Sequence, residues 1–141
     1  MIQEIITPNA PQAIGPYSQG VVIGDLVFVS GQIPINPKTK EIVKGDISKQ
    51  TKQVLENIKS ILEDAGSGME SVLKTTVYMT DLSKFSDMNK VYETYFEKPF
   101  PARATVQVAV LPKGSPIEIE CIAYIKRMKD EGCDGCGGEC C

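Results

Sequence analysis

The amino-acid sequence predicts an α+β fold, in which a β-sheet packs against two helices in two layers. Two segments carry apolar residues at spacings of three and four, as amphipathic helices do, and several shorter segments have the β-branched or alternating pattern of strands. Along the chain, strands and a helix are followed by a strand and a second helix, and then by strands. The length of 141 residues favours one domain, since domains cluster around roughly 100–150 residues.

A β-hairpin begins the predicted sheet. Two runs rich in β-branched residues, 21–23 and 26–30, flank the turn pair Gly24-Asp25. The segment that follows, 31–45, holds two prolines and three lysines and predicts a loop.

The first predicted helix carries an apolar stripe between Val54 and Ala65. Asp46 or Ser48 can cap its start, because a side-chain oxygen there can accept from the free N–H groups of the first turn. Gly66 fits the position just past its end.

A second helix is predicted over residues 83–96, with Asp81 or Ser83 as its cap. Pro99 and Pro101 prevent the helix from continuing, because proline lacks the backbone N–H and clashes with the preceding turn.

Three further strands are predicted at 72–79, 104–110 and 117–125. In the last two, alternation separates an apolar face, expected to pack against the helices, from a mixed face that holds both Arg103 and Glu120. The mixed face carries too many apolar groups to face water. We therefore expect a homo-oligomer to bury it.

Composition excludes several classes of function. The chain has no histidine, which excludes a Ser-His-Asp triad, a Cys-His pair and the HExxH zinc site. Its 15 basic and 18 acidic residues give a net charge of -3, so it lacks the basic surface of a non-specific nucleic-acid binder, and we expect no nucleic-acid partner. Because the sequence shows neither a long apolar span nor a signal peptide, we expect no membrane partner and a cytoplasmic location.

Arg103 and Glu120 are the first candidates for chemistry. Arg103 is one of two arginines, and arginine is the side chain best suited to bind a carboxylate through two parallel hydrogen bonds. If the last two strands are neighbours, Glu120 lies close to it and can orient a water molecule. A structural ion pair between the two is the alternative, and Glu118 competes with Glu120 for the role because it shares the same face.

Three further positions are candidate pocket residues. Tyr17 follows a Gly-Pro turn and either lines a pocket or packs over the hairpin. Asn89 interrupts the apolar face of the second helix, so it is either a structural amide or a ligand contact. Ser30 and Gly31 end a strand, where backbone donors are often free.

Taken together, these segments resemble the RidA/YjgF family of reactive-intermediate deaminases. The resemblance covers residues 1–127 and rests on six blocks in order. They are 13–19 (AIGPYSQ), 29–34 (VSGQIP), 89–96 (NKVYETYF), 100–105 (FPARAT), 111–113 (LPK) and 117–120 (IEIE).

The resemblance implies a chorismate-mutase-like fold, with a mixed sheet on two helices, assembled as a homotrimer whose sheets form a barrel with sites between subunits. It implies hydrolysis of 2-imino and enamino acids, such as 2-iminobutanoate and 2-iminopropanoate, to 2-keto acids and ammonia without a cofactor. Arg103 would bind the substrate carboxylate and Glu120 would activate the attacking water. The pocket would be lined by Tyr17, Ser30, Gly31, Asn89 and Thr105. Thr105 stands where many members have cysteine.

Two alternatives stay open at this point. Family members do not all show deaminase activity, so the same clefts can serve a non-catalytic metabolite-binding or chaperone-like trimer. An endoribonuclease or translation inhibitor is the other alternative, and the acidic charge and missing histidine count against it.

Five cysteines divide between the domain and a tail. Cys121 alternates onto the apolar face, and we expect it to be a buried packing thiol. We place the domain at residues 1–128 and a Gly- and Cys-rich tail at 129–141. Four thiols in the tail can enclose a soft metal ion or remain a flexible appendage. They are Cys133, Cys136, Cys140 and Cys141.

Overall fold

A computed structural model describes residues 1–127, which form a six-stranded sheet with two helices on one face. This confirms the predicted α+β class. The elements are β1 (Gln3–Ile5), β2 (Gly20–Ile23), β3 (Leu26–Gln32), α1 (Ile47–Asp64), β4 (Val72–Met79), α2 (Phe85–Glu93), β5 (Ala102–Gln107) and β6 (Ile117–Tyr124). The sheet order is β1-β2-β3-β6-β4-β5, and only β4 and β5 pair in parallel. β1 was not predicted, because three residues are too few to show a period.

The hairpin and α1 form as the sequence predicts. Gly24 adopts φ +56° in the turn between β2 and β3, a conformation that glycine reaches without strain. Asp46 caps α1 by accepting from the backbone N–H of Lys49 at 3.0 Å, and Gly66 follows the helix at φ +82°. The apolar stripe is buried against β3 and β6 and forms the centre of the core.

The second helix is shorter than predicted. Asp81 caps a single 3₁₀ turn, Leu82–Lys84, and α2 then ends at Glu93 rather than at residue 96. Phe96 is nevertheless buried, and its ring centroid lies 4.6 Å from that of Tyr92. Because a non-helical residue continues the apolar spacing, periodicity alone overestimates the length of the helix.

The face assigned to β5 was wrong. Thr75 pairs with both Arg103 and Cys121, and side chains of paired residues point to the same face. Cys121 is buried under the helices, so Arg103 faces the helices, whereas Val106 faces away from them and is 42% exposed. The alternation of residue types along a strand separates its two faces. It does not show which face packs against the helices when specific partners hold a polar residue such as Arg103 on the helix-facing side.

The other face of the sheet is partly apolar and uncovered in a single chain. Four of its apolar side chains are each about 40% exposed: Ile23, Leu26, Phe28 and Val106. The sequence-based expectation that this face carries too many apolar groups to face water agrees with this exposure. Within residues 1–127, no helix is long and apolar enough to cross a membrane.

Candidate active site

A β-bulge brings three of the candidate residues together. Val29 pairs with Cys121 and Gln32 pairs with Ile119, so Ser30 and Gly31 together oppose the single residue Glu120. Such a bulge re-aims side chains and leaves backbone groups unpaired, and bulges are common beside active sites. The bulge therefore places Ser30 and Gly31 of β3 next to Glu120 of β6.

Buried hydrogen bonds hold the N-terminal loop against the bulge. The Gln19 side chain is 3% exposed, and its amide accepts from the Thr7 N–H at 2.7 Å and donates to the carbonyls of Thr7, Ala10 and Pro11. The Ser30 hydroxyl donates to the Ser18 carbonyl at 2.6 Å. Ser30 is thus engaged by the loop that carries Tyr17.

A cavity of about 460 Å³ opens beside the bulge. Tyr17, Gly31 and Glu118 line it, with Lys40 and Lys113 contributing two cations. The rest of its lining is largely Ile, Pro and Gln side chains. The cavity therefore combines apolar walls with a few charged groups, the usual composition of a small-molecule site.

Glu118 lies directly over Gly31. A Cβ atom on Gly31 would stand 2.6 Å from Glu118 Oε2, so a larger residue there would displace the end of the Glu118 side chain. Burial raises the pKa of the Glu118 carboxyl above its usual value, and the negative charge of Glu120 raises it further. Glu118 had been predicted only as a competitor of Glu120, and the structure places it in the cavity.

Glu120 is held by a tyrosine that the sequence did not single out. The Tyr78 hydroxyl donates to Glu120 Oε1 at 2.7 Å, and this bond together with burial raises the pKa of Tyr78. Thr76 pairs with Glu120 and Tyr78 lies two residues along β4, a relation that only the strand order reveals.

Arg103 sits on the opposite side of the sheet between aromatic rings and an amide. Its Nη1 donates to Asn89 Oδ1 at 2.6 Å, and its guanidinium carbon lies 4.8 Å from the ring centre of Tyr92 and 5.3 Å from that of Phe85. The ring faces attract the cation but supply no negative charge. Among residues 1–127 the only ion pair joins the other arginine, Arg127, to Asp25. The guanidinium of Arg103 is therefore available for an anion.

Three side chains with hydroxyl groups lie near Arg103 on the helix-facing side of the sheet. Thr75 Oγ1 and the Tyr92 hydroxyl form a buried hydrogen bond of 2.7 Å, which holds the Tyr92 ring against the sheet. Thr105, two residues after Arg103 on β5, has a buried Oγ1 without a hydrogen-bond partner in the described part of the chain. Buried polar atoms are normally paired, and among the side chains of residues 1–127 Thr105 is the one exception.

The predicted approach of Arg103 to Glu120 is wrong within one chain. β4 lies between β5 and β6, so the two strands are not neighbours. Register also puts Arg103 on the helix face and Glu120 on the open face. One chain thus carries its candidate residues in two separate groups, which we call half-sites. The arginine half-site consists of Arg103, Asn89 and Thr105. The bulge half-site consists of Tyr17, Ser30, Gly31, Glu118 and Glu120.

Cysteine chemistry is confined to one position in the described structure. Cys121 is buried, as predicted, and burial raises the pKa of its thiol to about 12. No cluster of three potential metal ligands occurs within residues 1–127. The tail thiols of Cys133, Cys136, Cys140 and Cys141 lie outside the described residues.

Comparison with known proteins gives consistent matches over this region. A family model described as Endoribonuclease L-PSP matches residues 7–125. A RutC family protein of Pyrococcus abyssi is 56% identical over 125 residues, covering 88% of this chain and 98% of the relative. The 2-iminobutanoate/2-iminopropanoate deaminase of Escherichia coli is 50% identical over 126 residues, covering 87% and 98%. The crystal structure of Escherichia coli TdcF with bound serine matches with a TM-score of 0.83 at 44% identity, covering 88% of this chain and 99% of that one.

Proposed function

The chain belongs to the RidA/YjgF/RutC (Endoribonuclease L-PSP) family, and from that premise we propose that it hydrolyses 2-imino and enamino acids to 2-keto acids and ammonia. Over the 126 aligned residues, half are identical to those of a 2-iminobutanoate/2-iminopropanoate deaminase, and the match spans nearly the whole of that enzyme. The serine bound to TdcF is a small amino acid, a compound of the same size and charge pattern as the proposed substrates.

The observation that carries the proposal is the unpaired guanidinium of Arg103. The rings of Phe85 and Tyr92 lie beside the guanidinium carbon and one Nη atom donates to Asn89, so the remaining N–H groups are left to bind a ligand. A carboxylate matches such a fork with two parallel hydrogen bonds. Asn89 holds one of the Nη atoms in place and so limits the directions from which the carboxylate can approach.

Hydrolysis of an imine requires only a few functional groups from the protein. A protonated imine is already electrophilic, so the site has to fix the carboxylate, place a water molecule at the imine carbon and handle protons. In the proposal, Arg103 performs the first task and Glu120, oriented by Tyr78, performs the second. Tyr17, Ser30, Gly31, Asn89 and Thr105 complete the binding surface.

The separation of the two half-sites supports a site shared between copies of the chain. Arg103 and Glu120 face opposite sides of the sheet, so one chain cannot place both on one small substrate. The partly apolar open face supplies a surface that a second copy can cover. We place the complete site between the subunits of a homotrimer.

A coupled assay tests the function. A pyridoxal-phosphate dehydratase generates 2-iminobutanoate, and added protein should accelerate its decay to the 2-keto acid. Arg103→Ala should reduce the acceleration by about a hundredfold or more, because two charge-assisted hydrogen bonds to the substrate are lost.

Arg127→Ala is the matched control. Arg127 is the only other arginine, and its exposed ion pair with Asp25 contributes little to stability. This variant should retain the wild-type rate. If the wild type leaves imines from several amino-acid precursors unaffected, the result favours the non-catalytic binding protein.

A further inference from the structure

We propose that Glu118, rather than serving as a substitute for Glu120, is the proton donor that releases ammonia. This inference rests on the proposed function and assigns a second catalytic residue to the same site. Its basis is the geometry of Glu118 in the cavity beside the Ser30–Gly31 bulge.

Glu118 is placed to reach a ligand in the cavity, because it lines the cavity together with Tyr17 and Gly31. Glu120 stands next to it on the same face of the strand. Both carboxylates lie on the open face of β6, two residues apart, which separates their Cβ atoms by about 7 Å. A gap of this size accommodates a reacting carbon with its water molecule between two carboxyl groups.

The Glu118 side chain also fits closely against the bulge. A Cβ atom on residue 31 would stand 2.6 Å from Glu118 Oε2, so the missing side chain of Gly31 leaves room for the carboxylate. This contact places the Glu118 carboxylate against the Ser30–Gly31 bulge, at the wall of the cavity.

The two carboxyl groups also differ in their surroundings. Glu120 is exposed and accepts a hydrogen bond from Tyr78, an arrangement that suits a carboxylate. Glu118 is half-buried, and burial and the charge of Glu120 raise its pKa. A half-buried carboxyl group with a raised pKa is suited to donate a proton, and an exposed carboxylate that accepts a hydrogen bond is suited to take one from water.

The charged and titratable groups that face Glu118 come from five segments. Lys40 from the loop after β3 and Lys113 from the turn before β6 bring two positive charges to the same cavity, while the negative charge of Glu120 on β6 raises the pKa of Glu118. Tyr17 lines the cavity, and Tyr78 on β4 pairs with Glu118 across the two strands.

The proposed steps balance in atoms and charge. Water attacks the protonated imine, a C–O bond forms, the π pair of the C=N bond moves to nitrogen, and Glu120 accepts a proton from the water. The carboxyl proton of Glu118 then passes to nitrogen, and the C–N bond breaks with its electron pair leaving on ammonia. As the C=O bond forms, the hydroxyl proton returns to Glu118, and Glu120 passes its proton to ammonia to give ammonium.

The test compares Glu118→Gln, Glu118→Asp and the surface control Glu63→Gln in the coupled assay across pH 5–9. Glutamine keeps the size of the side chain but cannot donate an acidic proton, so Glu118→Gln should lose on the order of a hundredfold in rate. The wild-type rate should also fall as rising pH deprotonates Glu118, and this alkaline decline should be absent from the residual activity of Glu118→Gln. Glu118→Asp should recover part of the rate, and Glu63→Gln should match the wild type.

The possible outcomes separate this inference from the proposed function. An inactive wild type would overturn both. An active wild type whose rate and pH profile are unchanged in Glu118→Gln would overturn the role of Glu118 alone. Thermal melting and subunit assembly of each variant should equal those of the wild type, and a loss of rate that merely follows a loss of folded protein would count against a catalytic role.

Discussion

Gly31 packs directly against the carboxylate of Glu118, the proposed proton donor. Its backbone is not in the left-handed region, and its lack of a side chain matters because a Cβ atom there would stand 2.6 Å from Glu118 Oε2. The resemblance had already marked Gly31 as a pocket residue. Its physical role could not be predicted, because the contact joins two residues 87 positions apart in the sequence.

Gly31→Ala should reduce activity and leave the fold intact. The new methyl group must displace the end of the flexible Glu118 side chain, so the cost to stability is small, whereas a misplaced catalytic group costs on the order of ten- to a hundredfold in rate. Gly24→Ala gives the reverse pattern. Its φ of +56° is strained for alanine by about 1 kcal/mol, but it lies in a hairpin turn away from the site. Equal activity loss in both variants would contradict the contact.

At the scale of elements, β5 and α2 form the unit that presents Arg103. Tyr92 and Phe85 from α2 flank the guanidinium, Asn89 accepts from it, and Thr75 on β4 anchors the Tyr92 hydroxyl. Sequence alternation defined the two faces of β5 correctly but placed Arg103 on the wrong side. An arginine on a helix-facing side is unexpected until its aromatic and amide partners are known.

Substitutions at Tyr92 should distinguish the contribution of its ring from that of its hydroxyl group. Tyr92→Phe leaves the buried Thr75 hydroxyl unpaired and should lower the free energy of unfolding by about 1–3 kcal/mol. Adding Thr75→Val should restore part of this loss. Tyr92→Leu also removes the ring under Arg103 and should raise KM for the imino acid more than Tyr92→Phe does. Urea unfolding and the coupled assay give both values, and indistinguishable KM values would argue against the stacking role.

For the whole molecule, the two half-sites make a prediction about assembly. In a trimer with shared sites, Arg103→Ala and Glu120→Ala chains are each inactive alone, but a site that draws Arg103 from one subunit and Glu120 from its neighbour is intact in some hybrids. Random mixing after unfolding and refolding together should restore roughly a quarter of the wild-type rate. A mixture that stays inactive, with hybrid trimers demonstrated, would place both residues in a site of one chain.

The tail should be dispensable for the proposed reaction. All candidate catalytic and substrate-binding residues lie within residues 1–127, and a chain ending at residue 128 should therefore keep the melting temperature and imine-hydrolysis rate of the full chain. Metal analysis of both chains after purification tests the separate possibility that Cys133, Cys136, Cys140 and Cys141 bind metal. Equal metal content would exclude the tail as a metal site, and a drop in activity on truncation would give it a role in the reaction.

The sequence by itself determined the local elements of this protein, because their signals lie within a few residues of one another. The Asp46 cap, the α1 stripe, the Gly24 turn and the strand at Val72–Met79 all follow from such short-range patterns. The tertiary structure alone decided that β4 separates β5 from β6, and with it that Arg103 and Glu120 face opposite sides. Strand order arises from contacts between distant residues, and the period of a single strand carries no information about its neighbours.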